Sequence, residues 1–276
     1  MKKSFWAMLG LAATLLLSGC GGGGGDTPAP SGGDKLNATI KIGATPVPHS
    51  EILAEIKPDL AEKGVTLEIV EFNDYVQPNI ALNDKELDAN FFQHEPYLND
   101  FVKEHTEMKL KNAGGVHVEP MGIYSTKIKK LDEIPFGGTV SIPNDATNGG
   151  RALLLLHKAG VITLRDGVSE MATVQDIISN HNDLTIQEIE AAQLPRTLDD
   201  VDISVINTNF AMNANLNPIN DALFMEDKTS PYVNIITVRD GDENRPEIKA
   251  LLETIRSDKV KNFINEKYKG AIVPAF

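Results

Sequence analysis

The sequence is poor in cysteine, in basic residues and in aromatic residues. Its single cysteine, Cys20, makes an intramolecular disulfide impossible. Only 26 lysines and arginines stand against 39 aspartates and glutamates, a formal net charge of −13. Because nucleic-acid binding depends on a basic surface, this composition disfavours that class of partner. Aromatic residues make up only 6% of the chain, so any local concentration of them is informative.

The motifs of common enzyme classes are also missing. There is no G-x-S-x-G, H-E-x-x-H or Walker motif, and no G-x-G-x-x-G outside the glycine-rich residues 19–25. No two histidines are spaced four residues apart. We therefore predict a protein that is not an enzyme and needs no cofactor. A metal receptor using His94, His117 and a carboxylate remains an alternative.

The N-terminus has the pattern of a secreted lipoprotein. Two lysines precede the apolar stretch 5–17, which predicts a signal peptide over residues 1–19 that is too short to be an independent membrane span. The sequence LSGC at 17–20 resembles a bacterial lipobox, so we predict lipidation of Cys20 in preference to a free thiol. The protein is then anchored to a membrane by lipid and faces the extracytoplasmic side.

The body of the chain alternates between strand and helix patterns after a tether rich in glycine, proline and serine at 20–37. This alternation predicts an α/β protein. Predicted strands cover 37–45, 65–72, 88–92, 139–142, 184–189, 202–206 and 233–238, and predicted helices cover 50–64, 74–82, 95–105, 148–159, 246–255 and 259–268.

Two interruptions of this rhythm, at 127–136 and 215–232, indicate two lobes. We predict that the first lobe combines residues 38–124 with 229–276 and that the second comprises residues 125–228. Pro58 lies inside the first predicted helix and is expected to kink or split it.

The densest aromatic stretch is DANFFQHEPYL at 88–98. Phe92 and His94, together with Tyr75 just after the preceding strand, are candidates for the wall of a pocket that takes an apolar or sulfur-containing side chain. Ordinary core packing is the alternative for this stretch, and it is the preferred reading for Phe91 and Phe101.

A candidate carboxylate site lies in SIPNDATNGGRAL at 141–153. Asn148 begins a predicted helix, Gly149 and Gly150 allow a backbone to approach a ligand, and Arg151 is expected in the first turn. A guanidinium there can clamp a ligand carboxylate in bidentate fashion, or it can form a salt bridge with a nearby carboxylate of the protein.

Three asparagines extend this polar set. Asn207 and Asn209 follow a predicted strand, where they could bind a zwitterion or only cap the next helix. Asn234 lies inside the apolar run PYVNIITV, where a buried amide is costly without partners.

Five stretches are similar to those of the NlpA/MetQ family of lipoprotein receptors for methionine ABC importers. They are FNDYVQPN at 72–79, NFFQHEPYL at 90–98, PNDATNGGRAL at 143–153, VINTNFAMNANLNP at 205–218 and SPYVNII at 230–236. The resemblance covers about 40–276. One departure is Phe210, where many relatives carry tyrosine.

This resemblance implies a two-lobed periplasmic-binding-protein fold with two crossing segments and a ligand in the cleft. It implies delivery of methionine to an ABC transporter permease with its ATPase. It also implies roles for the residues at the matching positions: Tyr75, Phe92 and His94 around the thioether, Arg151 on the carboxylate, and Asn148, Asn209 and Asn234 on the amino-acid backbone, with Asn144 and Tyr97 as weaker candidates. D-methionine, a Gly-Met dipeptide or another small apolar amino acid is the alternative ligand.

Overall fold

The computed structural model describes residues 35–276. The predicted signal peptide, the predicted lipidation site Cys20 and tether residues 20–34 lie outside the described residues. Within 35–276, none of the helices combines the length and the apolar character that crossing a bilayer requires.

Short strands outnumber the helices in the described part of the chain. The strands are β1 Ala38–Ala44, β2 Val65–Glu71, β3 Ala89–His94, β4 Leu110–Val118, β5 Gly122–Tyr124, β6 Thr139–Pro143, β7 Thr163–Leu164, β8 Ile177–Ser179, β9 Thr185–Ile189, β10 Ile203–Ile206, β11 Phe224–Met225, β12 Val233–Arg239 and β13 Val273–Pro274. The α-helices are α1 Glu51–Glu62, α2 Gln77–Asn83, α3 Glu95–Glu104, α4 Ala146–Lys158, α5 Thr208–Asn213, α6 Pro218–Asp221, α7 Pro246–Ile255 and α8 Asp258–Tyr268.

The strands form two main sheets, each the centre of one lobe. The first sheet has the order β13-β4-β12-β3-β1-β2, and the second has the order β11-β5-β10-β6-β9. In the first, β1 pairs in parallel with β2 and β3, whereas β12 runs antiparallel to β3 and β4. The two-lobed α/β prediction is confirmed, and both sheets mix parallel and antiparallel pairs.

The core of the first lobe forms where helices pack onto this sheet. In α1 the buried residues Ile52, Leu53, Ile56 and Leu60 recur at helical spacing and bury one face of the helix. They share a cluster with α7, α8 and the strand residue Ile42. All six residues of β3 are buried, as expected for a strand inside a sheet that is covered on both faces.

The second lobe has its own core around α4. Its leucines pack with Val140 and Ile142 of β6 and with Val205 of β10. The strand β5, which belongs to the part of the chain predicted for the first lobe, pairs with β10 and β11 of the second sheet. We therefore propose that the chain crosses between the lobes at residues 119–121 and 226–232.

Two local predictions differ from the structure. Helix α1 continues from Glu51 to Glu62 through Pro58, so the proline does not split it. Helix α4 begins at Ala146 with Asp145 as its N-cap, so Arg151 is the sixth helical residue and lies beyond the first turn.

Candidate ligand-binding site

A narrow cavity lies where elements of both lobes meet. The first lobe contributes aromatic and polar groups from β3, α3 and β12, and the second contributes polar groups from α4 and α5. The lining residues are Tyr75, Phe92, Gln93, His94, Tyr97, Glu119, Asn148, Arg151, Asn207, Thr208, Asn209 and Asn234.

An aromatic wall forms one side of the cavity. The Tyr75 ring centre lies 5.8 Å from that of Phe92, 5.7 Å from that of Tyr97 and 4.8 Å from that of Phe210. The neighbouring Phe91 is fully buried in the core of the first lobe, because consecutive strand residues face opposite sides of the sheet. The Phe91 ring thus packs in the core, and the Phe92 ring lines the cavity.

Two hydrogen bonds join the lobes directly across the cavity. Tyr75 Oη donates to Asn209 Oδ1 at 2.6 Å. His94 Nδ1 accepts from the Tyr97 backbone N–H at 3.1 Å, so the neutral ring carries its proton on Nε2 and donates to Asn148 Oδ1, also at 3.1 Å. Burial, reinforced by the positive charge of Arg151, lowers the pKa of His94 to about 3. The ring is therefore uncharged at neutral pH.

Asn148 is held by groups on both sides. Its side-chain amide and its backbone N–H both donate to the Asp145 carboxylate, which caps α4. Its Oδ1 accepts from Asn207 Nδ2 at 2.8 Å as well as from His94. Asn207 occupies the cap position of α5 but makes no side-chain cap bond. The structure therefore does not support the alternative that Asn207 only caps a helix.

Arg151 is buried in the wall, with 3% of the residue exposed. Its Nε and Nη2 donate to the two carboxylate oxygens of Glu226 at 3.0 and 2.5 Å. Nη2 also donates to the backbone oxygen of Glu119 at 2.7 Å, and the guanidinium carbon lies 4.2 Å from the Tyr232 ring centre. The salt bridge considered as an alternative therefore exists. No hydrogen bond within residues 35–276 uses Nη1, so the group retains a donor nitrogen.

The two glycines before Arg151 serve protein packing. A Cβ on Gly150 would stand 2.1 Å from the backbone oxygen of Glu170, and one on Gly149 would stand 2.9 Å from that of Pro143. Close approach of the protein's own backbone therefore accounts for both glycines, and their role in letting a backbone approach a ligand stays a prediction.

The remaining candidates divide between two cavities. Asn234, on β12, is 4% exposed and its Oδ1 lies 3.0 Å from His49 Nε2. Tyr97 lines the central cavity, and its hydroxyl donates to the backbone oxygen of Tyr75 at 2.9 Å. Asn144 is exposed and lines a neighbouring outer cavity on the far side of Tyr75 and Tyr97.

A buried cluster of His49, His117 and Glu119 was not anticipated from the sequence. Glu119 Oε1 lies 2.7 Å from His117 Nε2 and 3.2 Å from His49 Nε2. Their potential ligand atoms lie within 4.8 Å of one another, a donor set that could hold a transition metal. His117 thus belongs with His49 and not with His94. The stretch VHVEP at 116–120, which places a histidine and a glutamate among apolar residues at the end of a strand, was the sequence feature that could have indicated this cluster.

Comparison with known proteins places the chain among receptors of one kind. The methionine-binding lipoprotein MetQ of Bacillus subtilis is 43% identical over 278 residues, covering 99% of each chain. The D-methionine-binding lipoprotein MetQ of Escherichia coli K12 is 42% identical over 275 residues, covering 98% of this chain and 97% of its own.

Solved structures agree with this grouping. A nutrient-binding protein from Burkholderia cenocepacia, determined bound to methionine, has a TM-score of 0.82 and 46% identity, covering 86% of this chain and 100% of its own. The model of the NlpA lipoprotein family matches residues 40–276. The chain belongs to the NlpA lipoprotein family.

Proposed function

We propose that this protein is a lipid-anchored, extracytoplasmic receptor that captures L-methionine and delivers it to the permease of an ABC transporter. The observation that carries the proposal is an interlobe cavity that combines an aromatic wall, a buried guanidinium and four asparagines. The Burkholderia relative bound to methionine and the relatives named for methionine or D-methionine support this ligand class.

Each end of the ligand has a matching part of the cavity. Tyr75, Phe92 and His94 surround the thioether, for which aromatic rings are favourable partners at about 0.3–1.5 kcal/mol per contact. Arg151 binds the carboxylate. Asn148, Asn209 and Asn234 orient the amino-acid backbone, and Tyr97 and Asn144 shape the surrounding loops.

Capture consists of closing the two lobes about the crossing segments, with the ligand favouring the closed state. The Tyr75–Asn209 and His94–Asn148 bonds are the contacts that closure forms between the lobes. The ligand undergoes no reaction in this mechanism.

Calorimetry on the mature protein tests the ligand. We expect L-methionine to bind with a 1:1 stoichiometry and more tightly than D-methionine, Gly-Met or leucine. Tighter binding of D-methionine or Gly-Met would make that compound the assigned ligand in place of L-methionine. The absence of binding heat with all of these compounds would refute the proposed function. Chromatographic recovery of unchanged methionine after long incubation is expected of a receptor.

A metal receptor is the second candidate, because His49, His117 and Glu119 form a donor set for zinc. Binding of zinc and not methionine to metal-free protein would favour it.

Membrane attachment is tested separately. Replacing Cys20 by alanine should move the protein from the membrane fraction to the soluble extracytoplasmic fraction, because the lipid would be lost. A Ser18→Ala variant, next to the same processing site, serves as the control and should remain attached. Retention of the Cys20→Ala protein in membranes would argue against lipidation there.

A further inference from the structure

The cluster behind the cavity contains a carboxylate that the mechanism above does not use. Glu119 lines the cavity and is 6% exposed. It lies between β4 and β5, on the proposed crossing segment. Burying a carboxylate is costly unless hydrogen bonds or opposite charges compensate for its lost hydration. The groups that compensate Glu119 indicate what it can bind.

The proton positions in the cluster follow from its partners. His49 Nε2 faces two acceptors, Glu119 Oε1 at 3.2 Å and Asn234 Oδ1 at 3.0 Å, so Nε2 carries the proton. The other nitrogen, Nδ1, lies 2.7 Å from Thr45 Oγ1 and accepts from that hydroxyl. His49 is therefore a neutral donor to Glu119.

His117 is fixed in the same tautomer by the lack of a partner on its other side. Its Nδ1 is buried with no hydrogen-bond partner among residues 35–276. A proton on Nδ1 would leave a buried N–H unsatisfied, which is rarer in proteins than an unfilled acceptor. The proton therefore lies on Nε2 and is donated to Glu119 Oε1 at 2.7 Å. Burial lowers the pKa of His117 to about 3 and that of His49 to about 4.

Glu119 thus accepts two imidazole N–H groups on one oxygen, Oε1. Burial is the largest influence and raises the pKa of this carboxyl on balance, while His49, the Arg151 guanidinium and the backbone N–H of Asn209 act in the opposite direction. No side-chain hydrogen bond within residues 35–276 uses Oε2. A carboxylate that lines the cavity is therefore supported from behind and retains an oxygen for a further donor.

The neighbourhood of Glu119 fits a zwitterion. Arg151 Nη2 donates to the Glu119 backbone oxygen, so a positive and a negative side chain adjoin in one wall. The α-ammonium and α-carboxylate of a free amino acid are separated by a single carbon and need two such neighbouring groups.

We propose that His49 and His117 position Glu119 as the acceptor for the ligand's α-ammonium, so that the site selects compounds with a free, protonated α-amine. This inference rests on the proposed function and deepens it. Glu119 binds the ligand, whereas His49 and His117 act through Glu119 as positioning residues. Ligands that lack the amine, or carry it as an amide, lose this charge-assisted contact.

A cycle that varies both protein and ligand tests the proposal. L-methionine and 4-(methylthio)butanoic acid, which lacks only the amine, are titrated calorimetrically into wild type, Glu119→Gln and His117→Phe. We expect wild type to prefer methionine and Glu119→Gln to reduce that preference by about 10- to 100-fold, as the loss of a charged hydrogen bond implies. His117→Phe should reduce it by a smaller factor. His181→Phe, at an exposed histidine, should leave the preference unchanged.

The outcomes separate this inference from the proposed function. If wild type does not bind methionine, the proposed function fails. If wild type binds methionine but both variants lose equal factors for the two ligands, or keep the full preference, the inference alone is wrong. Displacement of methionine by stoichiometric zinc would assign the cluster to a metal and would also overturn it. Glu119→Gln is nearly isosteric, so it decides the question even if His117→Phe fails to fold.

Discussion

Replacing Arg151 by alanine tests the carboxylate site most directly. The residue is almost fully buried, and it donates to the Glu226 carboxylate through two nitrogens. The replacement removes the charge that binds the ligand carboxylate and leaves Glu226 without its partner. Truncating one member of a buried charged pair costs about 2–5 kcal/mol, so methionine affinity should fall by roughly 30- to 5,000-fold.

A second variant separates the two effects in this prediction. In Arg151→Ala/Glu226→Gln the uncompensated carboxylate is gone, but the ligand clamp is still missing. If loss of the clamp dominates, the double variant should stay as weak as the single one. If repulsion from Glu226 dominates, the double variant should recover most of the affinity.

The assay is calorimetry at pH 7 with L-methionine and L-methioninamide, which carries no carboxylate. The single variant should lose far more affinity for methionine than for the amide. Near-native methionine affinity, or equal losses for both compounds, would refute the assignment of Arg151 to the carboxylate. Thermal unfolding of each variant, followed by circular dichroism, controls for a loss of fold.

Three further predictions concern the cross-lobe bonds, acid stability and packing. Tyr75→Phe removes only the hydroxyl that donates to Asn209 and should cost about 0.5–1.5 kcal/mol of methionine binding by calorimetry; unchanged affinity would show that this bond does not contribute. The three buried histidines, including His94, have lowered pKa values in the folded state, so only the unfolded state takes up their protons just below pH 6.5. The contribution of these neutral histidines to the free energy of unfolding is complete above pH 6.5 and is lost as the pH falls, by about 2 kcal/mol for each histidine at pH 5. A melting temperature that does not fall between pH 7 and pH 5 would contradict this prediction. Gly150→Ala should lower the melting temperature because its Cβ would collide with the Glu170 backbone. Gly137→Ala is the control: its Cβ would meet nothing within 4 Å, so it should cost only the backbone strain that its φ of +76° imposes on alanine.

The regular elements of the fold were largely predictable because their signals are local. The β1–α1–β2 unit and helices α7 and α8 lie within a few residues of their predicted bounds. Strand β4 was missed because Gly114 and Gly115 interrupt its pattern. Packing explains both glycines, since a Cβ on Gly114 would stand 2.2 Å from an Arg256 nitrogen and one on Gly115 would stand 2.8 Å from Val233. The partners responsible are more than a hundred residues away in sequence.

The candidate site was also predictable only where the sequence signal is local. Aromatic clustering and an arginine after two glycines predicted residues that the structure brings into one cavity wall. The Glu226 partner of Arg151 lies 75 residues away, and His49 meets Asn234 across 185 residues. The first pair depends on the path of the chain after β11 and the second on how β12 returns to the first sheet, and no local sequence pattern specifies either. The sequence therefore indicated which side chains could bind, but not how they are already paired.

The Arg151–Glu226 pair also has a mechanical consequence. Glu226 accepts from the Met121 backbone N–H at 3.2 Å, and Arg151 donates to the Glu119 backbone oxygen. One guanidinium therefore ties helix α4 to both strips of chain that run between the lobes. A ligand bound to this side chain therefore also contacts the hinge, so we expect slower amide exchange at the non-proline residues of 119–121 and 226–232, far from the thioether end of the bound ligand.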